Sequence, residues 1–227
     1  MGRAKEIIVK VIPSNIANDF VKKHHYSKKV VANSQLHFGT FLDGKLHGVM
    51  SYGPSLDKSK IIGLVKDTKW NEFIELNRMA FDDYLPKNSE SRCIAYSIKL
   101  IKKNAPQIKW IISFADGCQC GDGTIYRASN FKLTGIKKNT TIMINEKGDI
   151  KTDIYFNINP QLKEVKKTYK PLEGYQLRYI YFIDKAKEKD LTVPVIPFSK
   201  IDEVNAGMYK GEKVTRAERH EKVDNNE

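Results

Sequence analysis

The sequence predicts an α/β protein built on one mixed sheet, and three observations predict it. Residues 108–115 (IKWIISFA) are a continuous apolar run, the pattern of a central strand buried on both faces. Asp43-Gly44 sits between two strand-like runs, a strong hairpin signal because a type I′ turn needs positive φ at both centre positions. Residues 89–103 place Ile94, Ile98 and Ile101 on one helical face, with Cys93 and Ser97 alongside.

The remaining elements follow in order. Residues 5–12 (KEIIVKVI) alternate and are β-branched, so they read as a strand. Pro13 and Ser14 start a helix of about ten residues with Ile16, Phe20 and Val21 on one face, running out in the polar stretch from Lys22 to Lys29. The hairpin pairs 36–42 with 45–52, and a further strand spans 72–80. Pro86 and a polar loop lead into the 89–103 helix; a short helix near 123–130 and a strand near 131–138 follow the central strand. A second hairpin turns at Lys147-Gly148, and 175–183 (YQLRYIYFI) reads as the last strand. With helices expected on both faces, 1–204 forms one domain, and 205–227 is a basic, charged tail, extended or disordered in isolation.

Composition narrows the functional classes. Of 227 residues, 41% are hydrophobic and 29% charged, an ordinary globular balance. No apolar run approaches the roughly 18–20 residues that span a bilayer. The N-terminus lacks a long apolar signal core, so a cytoplasmic location is expected. Cys93, Cys118 and Cys120 are too few for a disulfide framework, which fits a reducing compartment. Lys and Arg number 39 against 27 acids, a net charge of +12. That surplus favours a polyanion, because each neutralised phosphate releases condensed counterions. Lysine-rich composition from an AT-rich genome gives the same count.

Two features carry a family resemblance. TIYRASNF (124–131) after the buried strand looks like the Tyr-x-x-x-Gly-Phe helix end of the GCN5-related acyltransferases (GNATs), with Asn130 in place of the glycine. More specifically, the segments 33–58, 70–92 and 108–131 resemble the phage Mom family, as do GYQLRYIYFID (174–184) and MYKGEKVTRAERH (208–220). The resemblance implies a GNAT-like acyltransferase fold with a C-terminal extension. It also implies conversion of adenine in double-stranded DNA to N6-carbamoylmethyladenine, which protects phage DNA from host restriction.

Site residues follow from their chemistry and from that resemblance. Asp116 lies just past the central strand, at the carboxyl edge where α/β sheets place ligands, with Gly117, Gly121 and Gly123 freeing the backbone. It either takes a proton from an attacking adenine amine or closes an Asx turn; Asp122 reads as a cap. Arg78 is a guanidinium on an otherwise apolar strand, lining a pocket or forming a structural ion pair. Tyr126 matches the acyltransferase tyrosine that protonates a leaving group, or is a packing aromatic. Lys87 to Arg92 occupies the place of the acyltransferase phosphate loop, though it holds no glycine. There Asn88, Ser89, Ser91 and Arg92, with Arg78, would hold the donor, or simply cap the helix. His25 and Tyr26, placed where acyltransferase acceptor loops lie, offer stacking and polar edges to a flipped adenine. His25 with Asp116 is the metal pair to test, iron in particular; Cys118 and Cys120 alone do not make a zinc site.

The implied product is joined through carbon, whereas acyl transfer makes amides. A glycyl donor such as glycyl-tRNA reconciles the two and suits the charge and the glycine-free loop; acetyl-CoA or another acyl-CoA is the alternative donor. Lys163 to Lys170 and Lys210, Lys213, Arg216 and Arg219 would track phosphates, or be a solvated face. Two other functions compete: an acetyltransferase of a protein or small amine, and a non-enzymatic DNA-binding anti-restriction protein. No obligatory protein partner is evident.

Overall fold

The computed structural model describes residues 3–215 together with 217 and 218. Its strands are β1 (Ile8–Val11), β2 (Leu36–Leu42), β3 (Lys45–Gly53), β4 (Phe73–Phe81), β5 (Trp110–Gly117), β6 (Lys132–Lys138), β7 (Ile142–Ile144), β8 (Ile150–Thr152), β9 (Lys170–Pro171), β10 (Tyr175–Phe182), β11 (Met208–Tyr209) and β12 (Glu212–Lys213). The helices are α1 (Ser14–His24), α2 (Lys58–Ile62), α3 (Ser89–Asn104), α4 (Thr124–Ala128), α5 (Asp153–Asn157), α6 (Lys163–Lys166) and α7 (Ser199–Glu203). A seven-stranded sheet runs in the order β1-β2-β3-β4-β5-β10-β6, antiparallel from β1 to β4 and parallel between β4 and β5. It is the mixed α/β sheet that the sequence predicts.

The chain divides into two compact units. The first comprises Met1–Phe114, Thr124–Thr134 and Arg178–Ile196. Trp110, Ile111 and Ile112 have no exposed surface, as a doubly covered central strand requires. On one face of β3, Val49 joins Ile12, Ala17, Val21 and Ala80 in a cluster beneath α1. On the other face, Tyr52 reaches α3 through its hydroxyl, 2.6 Å from Ser97 Oγ. Ile94, Ile98 and Ile101 of α3 are buried as their spacing predicts. The α1 face differs from expectation: Ile16 is exposed and Ala17 takes the buried place, because 17, 20, 21 and 24 form the continuous stripe.

Turn chemistry holds as read. Asp43 and Gly44 have φ of 51° and 74°, and Asn130 has φ of 62°, the left-handed position filled by glycine in the acyltransferase pattern. β4 pairs with β3 through a bulge: Ser51 faces Arg78 and Tyr52 faces Leu76, so Asn77 is the extra residue. β4 and β5 pair in parallel over Phe73–Glu75 and Trp110–Ile112.

The second unit comprises Ala115–Gly123, Gly135–Leu177 and Pro197–Glu227. Its small sheet has the order β8-β7-β9, and the expected hairpin at Gly148 (φ 83°) joins β7 to β8. Asn145 Oδ1 fastens that turn by accepting the N–H groups of Lys147 and Asp149. The segment read as a tail from 205 begins with the β11–β12 hairpin: Met208 is buried, and its N–H and carbonyl bond the carboxylate and N–H of Asp122. Arg216 and Arg219, and the rest of the tail reading, lie outside the described residues.

Candidate functional site

In the first unit, polar side chains gather around the β4 bulge. Bulges re-aim side chains, and this one re-aims Asn77, whose Oδ1 accepts from Ser34 Oγ at 2.8 Å. Its Nδ2 is buried with no hydrogen-bond partner among the described residues, and neither has the buried Oδ1 of Asn33. Next to it, Arg78 Nη1 lies 3.3 Å from His25 Nε2, while His25 Nδ1 lies 2.9 Å from Ser27 Oγ. The Ser27 N–H donates to Nδ1 at 3.1 Å and a guanidinium only donates, so each ring nitrogen faces a donor and a protonated ring fits neither. The imidazole is therefore neutral. Burial, then the Arg78 charge, lower its pKa to about 4. Tyr26 packs its ring 4.3 Å from that of His25 and remains exposed.

Glu75, one turn of strand away from Arg78, is the acid that sequence reading missed. Burial raises its pKa, while the Ser55 hydroxyl and the Arg78 charge pull it back. The signal is in the sequence: Glu75 is a carboxylate at an inward-facing place in EFIELNRMA, two residues from Phe73 on the same strand face. Tyr52 and Ser97 were missed as well. Ser97 Oγ donates to the Ile94 carbonyl at 2.8 Å, so the Tyr52 phenol donates to Ser97, and burial raises its pKa. Tyr126 is buried, with its ring 5.2 Å from Tyr179 and 5.5 Å from Phe131.

The stretch expected to bind a donor's phosphates opens α3 with Asn88 in the left-handed region (φ 66°). Its hydroxyls turn inward. Ser89, fully buried, donates to the Pro86 carbonyl, and Ser91 donates to the Asn88 carbonyl at 3.2 Å. Arg92 lies over the Tyr96 ring at 4.9 Å and donates to its hydroxyl at 3.1 Å. Thus Asn88, Ser89, Ser91 and Arg92 share one helix start, while Arg78 keeps company with His25.

Asp116, in the second unit, has both oxygens engaged. Oδ1 accepts the Cys118 N–H at 3.0 Å and Gln176 Nε2 at 3.2 Å; Oδ2 accepts Gln119 Nε2 at 2.8 Å. The Asx turn is there, and two side-chain amides fix the carboxylate as well. Burial, then the Asp116 charge, push the Cys118 thiol up to about 11, so it stays protonated at neutral pH. Beside Asp116 a cavity of ≈ 210 Å³ is lined by Gly117, Gly174, Tyr175, Gly207, Met208 and Lys213. Among the described residues no group of three or more His, Cys, Asp or Glu side chains is placed to hold a metal ion.

By element order and sheet arrangement this is a mixed α/β protein with a bulged strand leading to a parallel pair, and solved structures that it is similar to include acetyltransferases. The ribosomal-protein-S18-alanine N-acetyltransferase of Escherichia coli is 11% identical, covers 80% of this chain and 97% of its own, and has a TM-score of 0.47. A GNAT family acetyltransferase from Elizabethkingia anophelis with acetyl-CoA bound is 14% identical over 78% of this chain and 98% of its own, at 0.46. Likeness at that level carries no residue roles to this chain. Sequence is more specific: a family model described as the Mom protein family matches residues 6–200. The methylcarbamoylase mom of Escherichia phage Mu is 34% identical over 201 residues, 83% of this chain and 80% of that protein. The chain belongs to the Mom protein family.

Proposed function

We propose that the protein is a DNA-modifying transferase that converts adenine to N6-carbamoylmethyladenine and so shields DNA from restriction endonucleases. The observation that carries this reading is the extent of the likeness to the phage Mu methylcarbamoylase, which runs through the β4 bulge, the α3 start and the Asp116 turn alike. The fixed Asp116 carboxylate, the exposed Tyr26 ring over a neutral His25 and the +12 charge support it. The substrate is double-stranded DNA, met in the cytoplasm of the host cell if the gene is a phage's, and the target base must leave the stack to be reached.

A glycyl ester of tRNA accounts for the product. The adenine N6 amine attacks the ester carbonyl, Asp116 accepts the amine's proton, and the ribose oxygen leaves with a proton. The glycyl amine then attacks C6, closing a five-membered ring. Cleavage of the original C6–N6 bond releases N6 as the amide nitrogen, leaving CH2–CONH2 on the new exocyclic nitrogen. Acetyl-CoA, whose acyl group has no amine to attack C6, would stop at an amide.

Purified protein incubated with plasmid DNA and glycyl-tRNA is expected to yield an adenosine heavier by one carbamoylmethyl group on nucleoside mass spectrometry. Adenine unmodified in this mixture, and also in plasmid from cells expressing the folded protein, defeats the reading.

A further inference from the structure

The second unit carries a surface that the chemistry above does not use. In α5, Phe156 is the side chain that packs, edge-on to Tyr169 with ring centroids 5.1 Å apart. The isoleucines to either side of it face out. Ile154 is 57% exposed and Ile158 is 72% exposed; they lie one helical turn apart, and Ile158 N–H bonds the Ile154 carbonyl at 3.1 Å. Single exposed aliphatics are ordinary. Here two are stacked at the end of a helix, with Tyr155 and Val165 also exposed within the next turns.

Their surroundings say what they meet. Ile158 stands between Asn157 and Asn159, with Gln161 beyond. The tip is held: Asn159 Nδ2 donates to the Tyr155 carbonyl at 2.7 Å, the Leu162 N–H bonds the Asn159 carbonyl, and Pro160 opens the next turn. From Asn157 to Leu172 there are four lysines against one acid, Glu164. Lys166 and Lys167 pair with Asp153 and Glu164, whereas Lys163 and Lys170 make no ion pair among the described residues. An apolar ridge with cations on its flank and amides at its root matches a nucleic-acid duplex: cations for phosphates, amides for base edges, and an aliphatic side chain for the stack.

We propose that Ile158 is the wedge that enters the DNA stack when the target adenine is extruded, with Lys163 and Lys170 on the flanking phosphates. Asn157 and Gln161 meet the edge of the thymine left behind, whose O4 accepts and whose N3–H donates. This rests on the reading of the protein as a DNA-base-modifying enzyme and names the part that opens the duplex. The tip is exposed and fastened by backbone bonds, so changes there leave the fold intact.

The test uses the full chain, plasmid DNA and permanganate, which oxidises thymines that have lost their partner and needs no knowledge of the target sequence. Wild-type protein is expected to make discrete thymines reactive, and Ile158→Ser to lower that reactivity at least about 10-fold with an unchanged thermal midpoint. Wild type is also expected to prefer a duplex with an abasic site opposite thymine, and I158S to lose that preference. Lys163→Gln with Lys170→Gln is expected to reduce the slope of log affinity against log salt by about 1.8, roughly 0.9 per phosphate contact. Reactivity equal to wild type in I158S, an unchanged salt slope, or binding to anionic vesicles or tRNA but not to duplex each overturns the proposal. The two readings fail separately. Modified adenine made at the wild-type rate by I158S sinks the wedge alone, whereas thymine reactivity without modified adenine sinks the chemistry alone.

Discussion

His25 shows how one hydrogen-bond argument fixes a charge state and, through it, a pH dependence. Its two ring nitrogens face the Arg78 guanidinium and the Ser27 N–H, donors that a protonated imidazole could not accept. The folded protein holds this ring unprotonated down to about pH 4, while in the unfolded chain it protonates near 6.5. Between those values the unfolded state binds the extra proton, so His25 contributes stability above pH 6.5 that is lost as the pH falls towards 4. The loss is about 3 kcal/mol or slightly more if no water screens the ring, and smaller to the extent that water does. Glu75 runs the other way: its raised pKa lets the folded state keep a proton that the unfolded chain releases, so its contribution is lost as the pH rises through the folded value. His25→Gln isolates the first effect. In urea titrations at pH 7 and pH 4.5 the variant is expected to lose less stability on acidification than wild type, and an equal loss in both would mean that His25 is charged in the fold.

The helix ends and strand joints show what was legible in the sequence and what was not. Asp43-Gly44, Gly148 and the apolar periodicity of α3 encode local geometry in local residues, and each stands where it was read. The bulge at Asn77 was not legible, because it exists only in the register of β4 against β3, and with it went the grouping of Ser34, Asn77 and Glu75. Short pieces such as α5, α6 and β11–β12 were missed for a related reason: they are too short to show a period and are held by distant partners, as Met208 is by Asp122. Asp116 was expected just past the central strand and instead is the next-to-last residue of β5, which runs two residues further than its apolar core; the amides of Gln119 and Gln176 that fix it were not read. Asn130 is the case where local encoding can be measured. Its left-handed φ of 62° closes α4, so Asn130→Gly is expected to leave stability unchanged or raise it by a few tenths of a kcal/mol. Asn130→Val forces a β-branched residue into that region and is expected to cost about 1–2 kcal/mol, read as a shift in urea midpoint at constant slope. Equal midpoints for the two variants would show that the turn relaxes out of the left-handed region.

The charge of the chain acts over distances that no single contact reports. Ion pairs such as Lys132 with Glu188, Lys60 with Asp57 and Lys200 with Glu203 remove one cation for each anion, so local pairing leaves the net +12 untouched. The surplus must lie on cations without a carboxylate partner. Such cations repel one another in the free protein, and a polyanion relieves that repulsion while releasing its own counterions. If the surface engages about six phosphates, log affinity for duplex DNA should fall with log salt at a slope near −5, roughly 10³-fold between 50 and 200 mM. Fluorescence anisotropy with a labelled duplex across that range measures the slope directly. A slope near −1 would mean that the surplus is dispersed over the surface and serves solubility, and the DNA-directed reading of the charge would fall with it. A steep slope that is the same for unrelated sequences would place the charge in positioning the protein along DNA, leaving the choice of adenine to contacts with the base itself.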